Sequence, residues 1–130
     1  ESLVEFTGFI SEADKPRYLK SADVSVFPSS GGESFGIVLL EAMAGGHAAV
    51  LAGDNIGYRS VMHERDDLLF APKNRHALAD KLAQYLRDDA ARTEAAHWGK
   101  NYAKQFDVGY IGEQLVTLYN ETLRSRHNVR

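Results

Sequence analysis

Two carboxylates, Glu33 and Glu41, stand in a run with no other charged residue: Gly31-Gly32-Glu33-Ser34-Phe35-Gly36-Ile37-Val38-Leu39-Leu40-Glu41-Ala42-Met43-Ala44-Gly45-Gly46. Carried on one helix, they would lie roughly 80° apart around its axis and about 12 Å apart along it. That separation is too wide for the carboxylate pair of a glycosidase. It suits two acceptors gripping opposite ends of an extended polar ligand. Glycine next to a helix start adds a second kind of binding group. The first N–H groups of a helix lack intrahelical partners and carry partial positive charge, and glycine lets a ligand approach them closely. An anion or a sugar hydroxyl fits such a place. Gly36 serves no helical purpose, since glycine weakens a helix.

The elements that position these groups are legible on either side. Upstream, Val24-Ser25-Val26-Phe27 is a β-rich apolar run ended by Pro28-Ser29-Ser30, so the stretch reads strand, glycine loop, helix. Before it, Leu3 to Phe6 reads as a strand and Gly8-Phe9-Ile10 as the loop leaving it. Ser11-Glu12-Ala13-Asp14 resembles a capping box. It opens a helix to about Ser21, with Pro16 in the first turn and Tyr18, Leu19 and Ala22 on the buried face. Asp23 to Phe27 is then a strand of a buried parallel sheet. Downstream, Gly45-Gly46 stops the signature helix and Ala48 to Leu51 is a third strand. Ala52 to Asn55 turns, Gly57 to His63 is a short helix, and Asp67 to Phe70 is a fourth strand. Arg75 to Arg87 is amphipathic, with Leu78, Leu82 and Leu86 four apart. Asp88 to about Lys104 is another helix, carrying Ala91, Ala95, Trp98 and Tyr102. Asp107 caps the last one, where Ile111, Leu115, Leu118, Tyr119 and Leu123 form a stripe, and the polar tail from Arg124 to Arg130 frays. Strands alternating with helices predict a parallel sheet with helices on both faces. Ligands on such sheets bind beyond the carboxyl ends of the strands, here the loops Gly8–Ser11, Pro28–Glu33 and Ala52–Gly57.

The Glu-x7-Glu pair in this setting, with Ser21-Ala22-Asp23-Val24 and Phe27-Pro28 upstream and Gly46 downstream, resembles the signature of family 4 retaining glycosyltransferases of the GT-B fold. The likeness runs over nearly the whole chain. It implies a Rossmann-like α/β fold and makes residues 1–130 part of the C-terminal, nucleotide-sugar-binding domain. About two further βα units and an N-terminal acceptor domain would precede it. By this resemblance Glu33 is the catalytic-site carboxylate that holds donor-sugar hydroxyls, and Glu41 accepts hydrogen bonds from the ribose. Gly32, Ser34, Phe35, Gly36 and Ile37 face the donor sugar and pyrophosphate, chiefly through backbone N–H groups. Gly8, Phe9, Ile10 and Ser11 cradle the base. The implied activity moves a hexose from a nucleotide sugar, such as GDP-mannose or a UDP-sugar, to a lipid or glycan acceptor with retention. The resemblance implies no metal and no organic cofactor. It implies a cytoplasmic protein, peripheral at the inner membrane face when full-length, and a segment that contributes donor contacts without turnover by itself.

The chain departs from the family pattern at two places, the first a local backbone change that leaves the site intact and the second a pointer to the branch. Gly46-His47-Ala48-Ala49-Val50 lacks the usual proline of Gly-x-Pro-Val-Val. Where many relatives carry a Glu after the third strand, this chain reads Gly57-Tyr58-Arg59-Ser60-Val61, closer to the phosphatidylinositol mannosyltransferase branch. The signature loop has no Lys or Arg to stabilise a leaving diphosphate.

Composition sets outer bounds. The chain has 130 residues, enough for one domain with a sizeable core. A net charge of −3 gives no nucleic-acid footprint. With no cysteine there is no disulfide framework or thiolate metal site. No apolar run has the length of a membrane span and none reads as a signal peptide, so a soluble intracellular protein is expected. His47, His63, His76, His97 and His127 are scattered without metal-ligand spacing. Trp98, Tyr102, Tyr110 and Tyr119 read as packing residues. Two other readings stand beside the first: a non-catalytic nucleotide-binding or receiver-like domain using Asp54 as phosphoacceptor, and a swapped or oligomeric form exploiting an open sheet edge.

Overall fold

The computed structural model describes residues 3–127. A run of β-branched and aromatic residues forms β1 (Val24–Phe27), and the wholly apolar Ala49–Gly53 forms β2, buried at every position. A two-residue β3 (Leu69–Phe70) completes a parallel sheet of order β1-β2-β3. Val24 pairs with Ala49 and Phe27 with Ala52, while Ala52 also pairs with Leu69. Around the sheet lie α1 (Lys15–Ser21), α2 (Ile37–Gly45), α3 (Ile56–Met62), α4 (Arg75–Arg87), α5 (Asp89–Ala103) and α6 (Val108–His127). This is the α/β, Rossmann-like arrangement that the alternating pattern predicts.

Helix boundaries follow local chemistry. Asn74 Oδ1 accepts from the N–H groups of His76 and Ala77 and starts α4; Asp88 Oδ1 accepts from Ala91 and starts α5. Asp107 Oδ1 accepts from Gly109 N–H at the start of α6, as expected. Gly46, at φ 72°, ends α2 with its N–H on Met43 O. The core gathers around β2, with Leu39, Met43, Leu51, Val61, Met62 and Leu68 fully buried. Each such side chain contributes about 1.5–3 kcal/mol.

Five expectations change. Leu3 to Phe6 is not a strand. Leu3 and Phe6 are exposed, and the segment takes no extended strand conformation beside β1. The expected strand from Asp67 shortens to Leu69–Phe70, because Asp66–Leu68 coil into a 3₁₀ turn. In α1 only Leu19 packs on the core, and Tyr18 is exposed. Leu86 also faces outward. The stripe of α6 exists as a helix face but is not buried: Ile111, Leu115, Leu118, Tyr119 and Leu123 are exposed, with Tyr110. α6 itself carries through His127, and residues 128–130 of the expected frayed tail lie outside the described residues.

Candidate functional site

The signature does not form one continuous helix. Gly36 sits at φ 102° and is the N-cap of α2, which begins only at Ile37. A left-handed residue cannot propagate a right-handed helix, so Glu33 belongs to the preceding loop. The spacing of about 12 Å and 80° expected for a shared helix therefore does not apply. Glu33 is carried by its loop and Glu41 by α2.

The loop is seated on the start of α3 through small residues. A Cβ on Gly53 would lie 2.5 Å from Ser29 O, and one on Gly57 would run into the Glu33 carbonyl. A Cβ on Gly36 would lie 2.7 Å from Cδ1 of Tyr58, whose ring is buried. Asn55 joins these contacts. Its Nδ2 donates to Ser29 O at 3.1 Å and to Gly53 O at 3.3 Å, while its Oδ1 accepts from Tyr58 N–H at 3.0 Å. Burial raises the Tyr58 phenol above its ordinary value, and the nearby Glu33 carboxylate raises it further. Glu33 is thus anchored by its main chain while its side chain is exposed.

Helix α2 is apolar nearly all round, with Leu39, Ala42 and Met43 buried. Glu41 lies on its remaining side, half-buried, and pairs with Lys15 Nζ at 3.1 Å. Lys15 also reaches Glu12 at 2.9 Å. These two carboxylates, Glu12 first, hold the Lys15 ammonium above its ordinary pKa. Glu41 lines a cavity of about 870 Å³ with Phe35, Ile37, Leu40, Lys100, Lys104 and Phe106. Phe35 is in ring contact with Phe106 at 5.8 Å. Beyond it the aromatic contacts continue through Tyr102 to Trp98, which is capped by Arg65 at 5.0 Å.

The structure brings Phe35, Ile37 and Glu41 to one cavity and places Gly32, Glu33, Ser34 and Gly36 on the loop that leads to it. Glu33 is not among that cavity's described lining residues. Gly8 and Phe9 stay apart: nothing lies within 4 Å of the Gly8 Cβ position, and Phe9 is exposed. The expected first strand that would present them has not formed. Ile10 is half-buried, and the Ser11 hydroxyl donates to Asp14 Oδ2 at 2.7 Å. Asp14 N–H donates to Ser11 Oγ at 3.2 Å, but this closes a turn ahead of the helix: α1 begins at Lys15 with Asp14 as its N-cap, not at Ser11.

Asp54 is held by the Arg59 guanidinium at 2.5 and 2.6 Å. No group of three or more His, Cys, Asp or Glu gathers as a cation site among the described residues. The receiver-like reading finds no acidic cluster there. Among the described residues no helix is long and apolar enough to cross a membrane.

Sequence reasoning did not single out Asn55, Lys15, Lys100 or Lys104. An Asn between a strand and a helix is a legible N-cap signal. The three lysines reach the surroundings of Glu41 only through tertiary packing and carry no local signature.

Comparison with known proteins identifies the family. Residues 1–105 match the family model of glycosyl transferases group 1. The phosphatidyl-myo-inositol mannosyltransferase of Mycobacterium leprae is 34% identical over 128 residues, covering 98% of this chain and 34% of that protein. Its Mycobacterium tuberculosis H37Rv counterpart is 33% identical over 132 residues, covering 98% and 35%. The D-inositol 3-phosphate glycosyltransferase of Corynebacterium urealyticum is 35% identical over 100 residues, covering 77% and 23%. The chain spans about a third of the length of the mannosyltransferases it matches. With a family match over most of its residues and a parallel α/β sheet that carries the signature loop between β1 and α2, this chain belongs to the group 1 glycosyl transferases.

Proposed function

We propose that the chain is part of the C-terminal, donor-binding domain of a retaining hexosyltransferase whose donor is a nucleotide sugar, GDP-mannose before a UDP-sugar. The acceptor is a phosphatidylinositol-type lipid, and the enzyme works as a peripheral protein at the inner membrane face. The relatives' names support the sugar and the acceptor class. The observation that carries the reading is positional. The Glu33 loop leaves the carboxyl end of β1 beside β2, where such sheets receive ligands, and passes through the Gly36 turn into α2, which carries Glu41.

Each role follows from the chemistry. The exposed Glu33 accepts hydrogen bonds from donor-sugar hydroxyls. Glu41 accepts from the ribose and exchanges its Lys15 partner for it. Ser34 to Ile37 turn N–H groups toward the diphosphate, where the start of α2 favours negative charge. Transfer leaves charge on that diphosphate, and stabilising developing charge is commonly the largest catalytic contribution. The reading assigns no metal and no organic cofactor, and gives the rest of this task to basic side chains elsewhere in the full-length protein. The base lies against Gly8–Ser11.

The test is calorimetric titration of the full-length protein with GDP-mannose, UDP-glucose and ADP-glucose, with Glu33→Ala and Glu41→Ala alongside. One sugar nucleotide binds, and both variants weaken it. Unchanged affinity in both variants overturns the reading.

A further inference from the structure

Asn55 is buried, and both the donor and the acceptor side of its carboxamide are engaged at the junction between the signature loop and α3. The carboxamide N–H₂ serves Ser29 O and Gly53 O, and the carboxamide oxygen serves Tyr58 N–H. Ser29 is the residue at which the loop leaves β1. Glu33, four residues on, rests its carbonyl on Gly57, two residues after Asn55. Tyr58, whose N–H the carboxamide fixes, forms the floor under Gly36. One side chain therefore ties together the departure of the loop, the seat of Glu33 and the turn into α2.

We propose that Asn55 is a positioning residue for the donor sugar: it fixes the Ser29–Glu33 loop so that the Glu33 carboxylate meets the sugar hydroxyls. The inference rests on the role given to Glu33 above. Capping alone does not account for the residue. Ser and Asp cap a helix as well as Asn does, yet neither can donate to the two carbonyls while accepting from Tyr58 N–H. Of the three, only the carboxamide offers two N–H donors beside an acceptor; Ser has a single O–H to donate and an ionised Asp has none. The diphosphate contacts depend on the turn into α2, whose floor is Tyr58; Ser and Asp keep the acceptor for Tyr58 N–H, so that floor stays and only the donors to Ser29 O and Gly53 O are lost or reduced. Loss of the Asn55 donor should therefore be felt at the sugar and spare the diphosphate.

The experiment uses the full-length protein with Asn55→Ser and Asn55→Asp, both of which keep the cap. Affinity is measured for GDP-mannose against GDP, and for UDP-glucose against UDP, and the pair bound by the unaltered protein is read. Both variants keep nucleoside diphosphate affinity and lose about tenfold in nucleotide-sugar affinity, the size of a lost hydrogen bond to a charged group. In a Glu33→Ala background the same substitutions add nothing. Equal weakening of sugar nucleotide and diphosphate, with a lowered melting temperature, means a purely structural role and overturns the proposal. So does full additivity with Glu33→Ala. If Glu33→Ala itself leaves the sugar-dependent gain in affinity unchanged, the donor-sugar reading of Glu33 fails, and that result is separate from any Asn55 effect.

Discussion

Replacing Gly36 by alanine tests the turn on which the site depends. Two costs add. At φ 102° the residue lies beyond the left-handed region of about +50 to +70° that L-residues reach, and a left-handed residue with a Cβ costs about 1–2 kcal/mol. The new methyl would also sit 2.7 Å from Cδ1 and 3.1 Å from Cε1 of the buried Tyr58 ring. Overpacking of this kind costs about 1–3 kcal/mol. Together they remove about 2–5 kcal/mol, a fall in melting temperature on the order of 10 °C for a domain of this size. Gly32→Ala is the internal control. Gly32 has φ 81°, but nothing lies within 4 Å of its Cβ position, so only the backbone cost applies. Thermal and urea unfolding of both variants, with Tyr58→Ala and the Gly36→Ala/Tyr58→Ala double variant, complete a cycle. The double variant should be more stable than the sum of its singles by about 1–3 kcal/mol, the overpacking share. A Gly36→Ala cost no larger than that of Gly32→Ala, or strict additivity with Tyr58→Ala, would refute the reasoning.

Other outcomes follow from the packing and the charges. Met43→Ala opens a hole between α2, β2 and Gly99, and should cost about 2–5 kcal/mol in urea unfolding. Burial, then Asp67, pushes the Tyr85 phenol up to about 12. A raised folded value stabilises below the unfolded value of about 10 and is lost as pH rises toward 12. Tyr85→Phe should thus flatten part of the stability loss between those limits in pH-resolved melting curves. The Asp67 carboxyl is held low by Arg65, so its stabilisation is complete above about pH 4 and is lost as pH falls through the depressed value. Asp67→Asn should remove that share of the acid dependence. Lys15→Met should leave the melting temperature close to unchanged, since the Lys15 side chain is a third exposed, while altering nucleotide-sugar affinity through Glu41.

How much of this was legible in the chain depended on how local each cause is. The strand at Val24–Phe27, helix α4 from Arg75 to Arg87 and the stop at Gly46 are read from apolar runs, periodicity and caps within a few residues. The break at Gly36 was written in the same stretch. Two carboxylates at near-helical spacing drew the helix back to Glu33, and the glycine between them should have set its start. Leu3 to Phe6 looks like a strand because alternation and β-branching are local, but the burial that makes a strand worthwhile is not, and Leu3 and Phe6 stay exposed. The stripe of α6 fails similarly: its period gives a helix and is silent on what covers it. Lys15 beside Glu41, 26 residues apart in sequence, is a product of how α1 lies on α2.

The contact between Phe35 and Phe106 sets a practical limit on trimming this protein. The family match ends at residue 105, one position short of the ring that backs the signature loop. An expression boundary drawn where the match stops would keep all three strands and both glutamates, yet would leave Phe35 without its backing. The same applies to grafts: a chimera that exchanges the segment after residue 105 should carry an aromatic at position 106, or donor affinity will shift with no donor-facing residue changed.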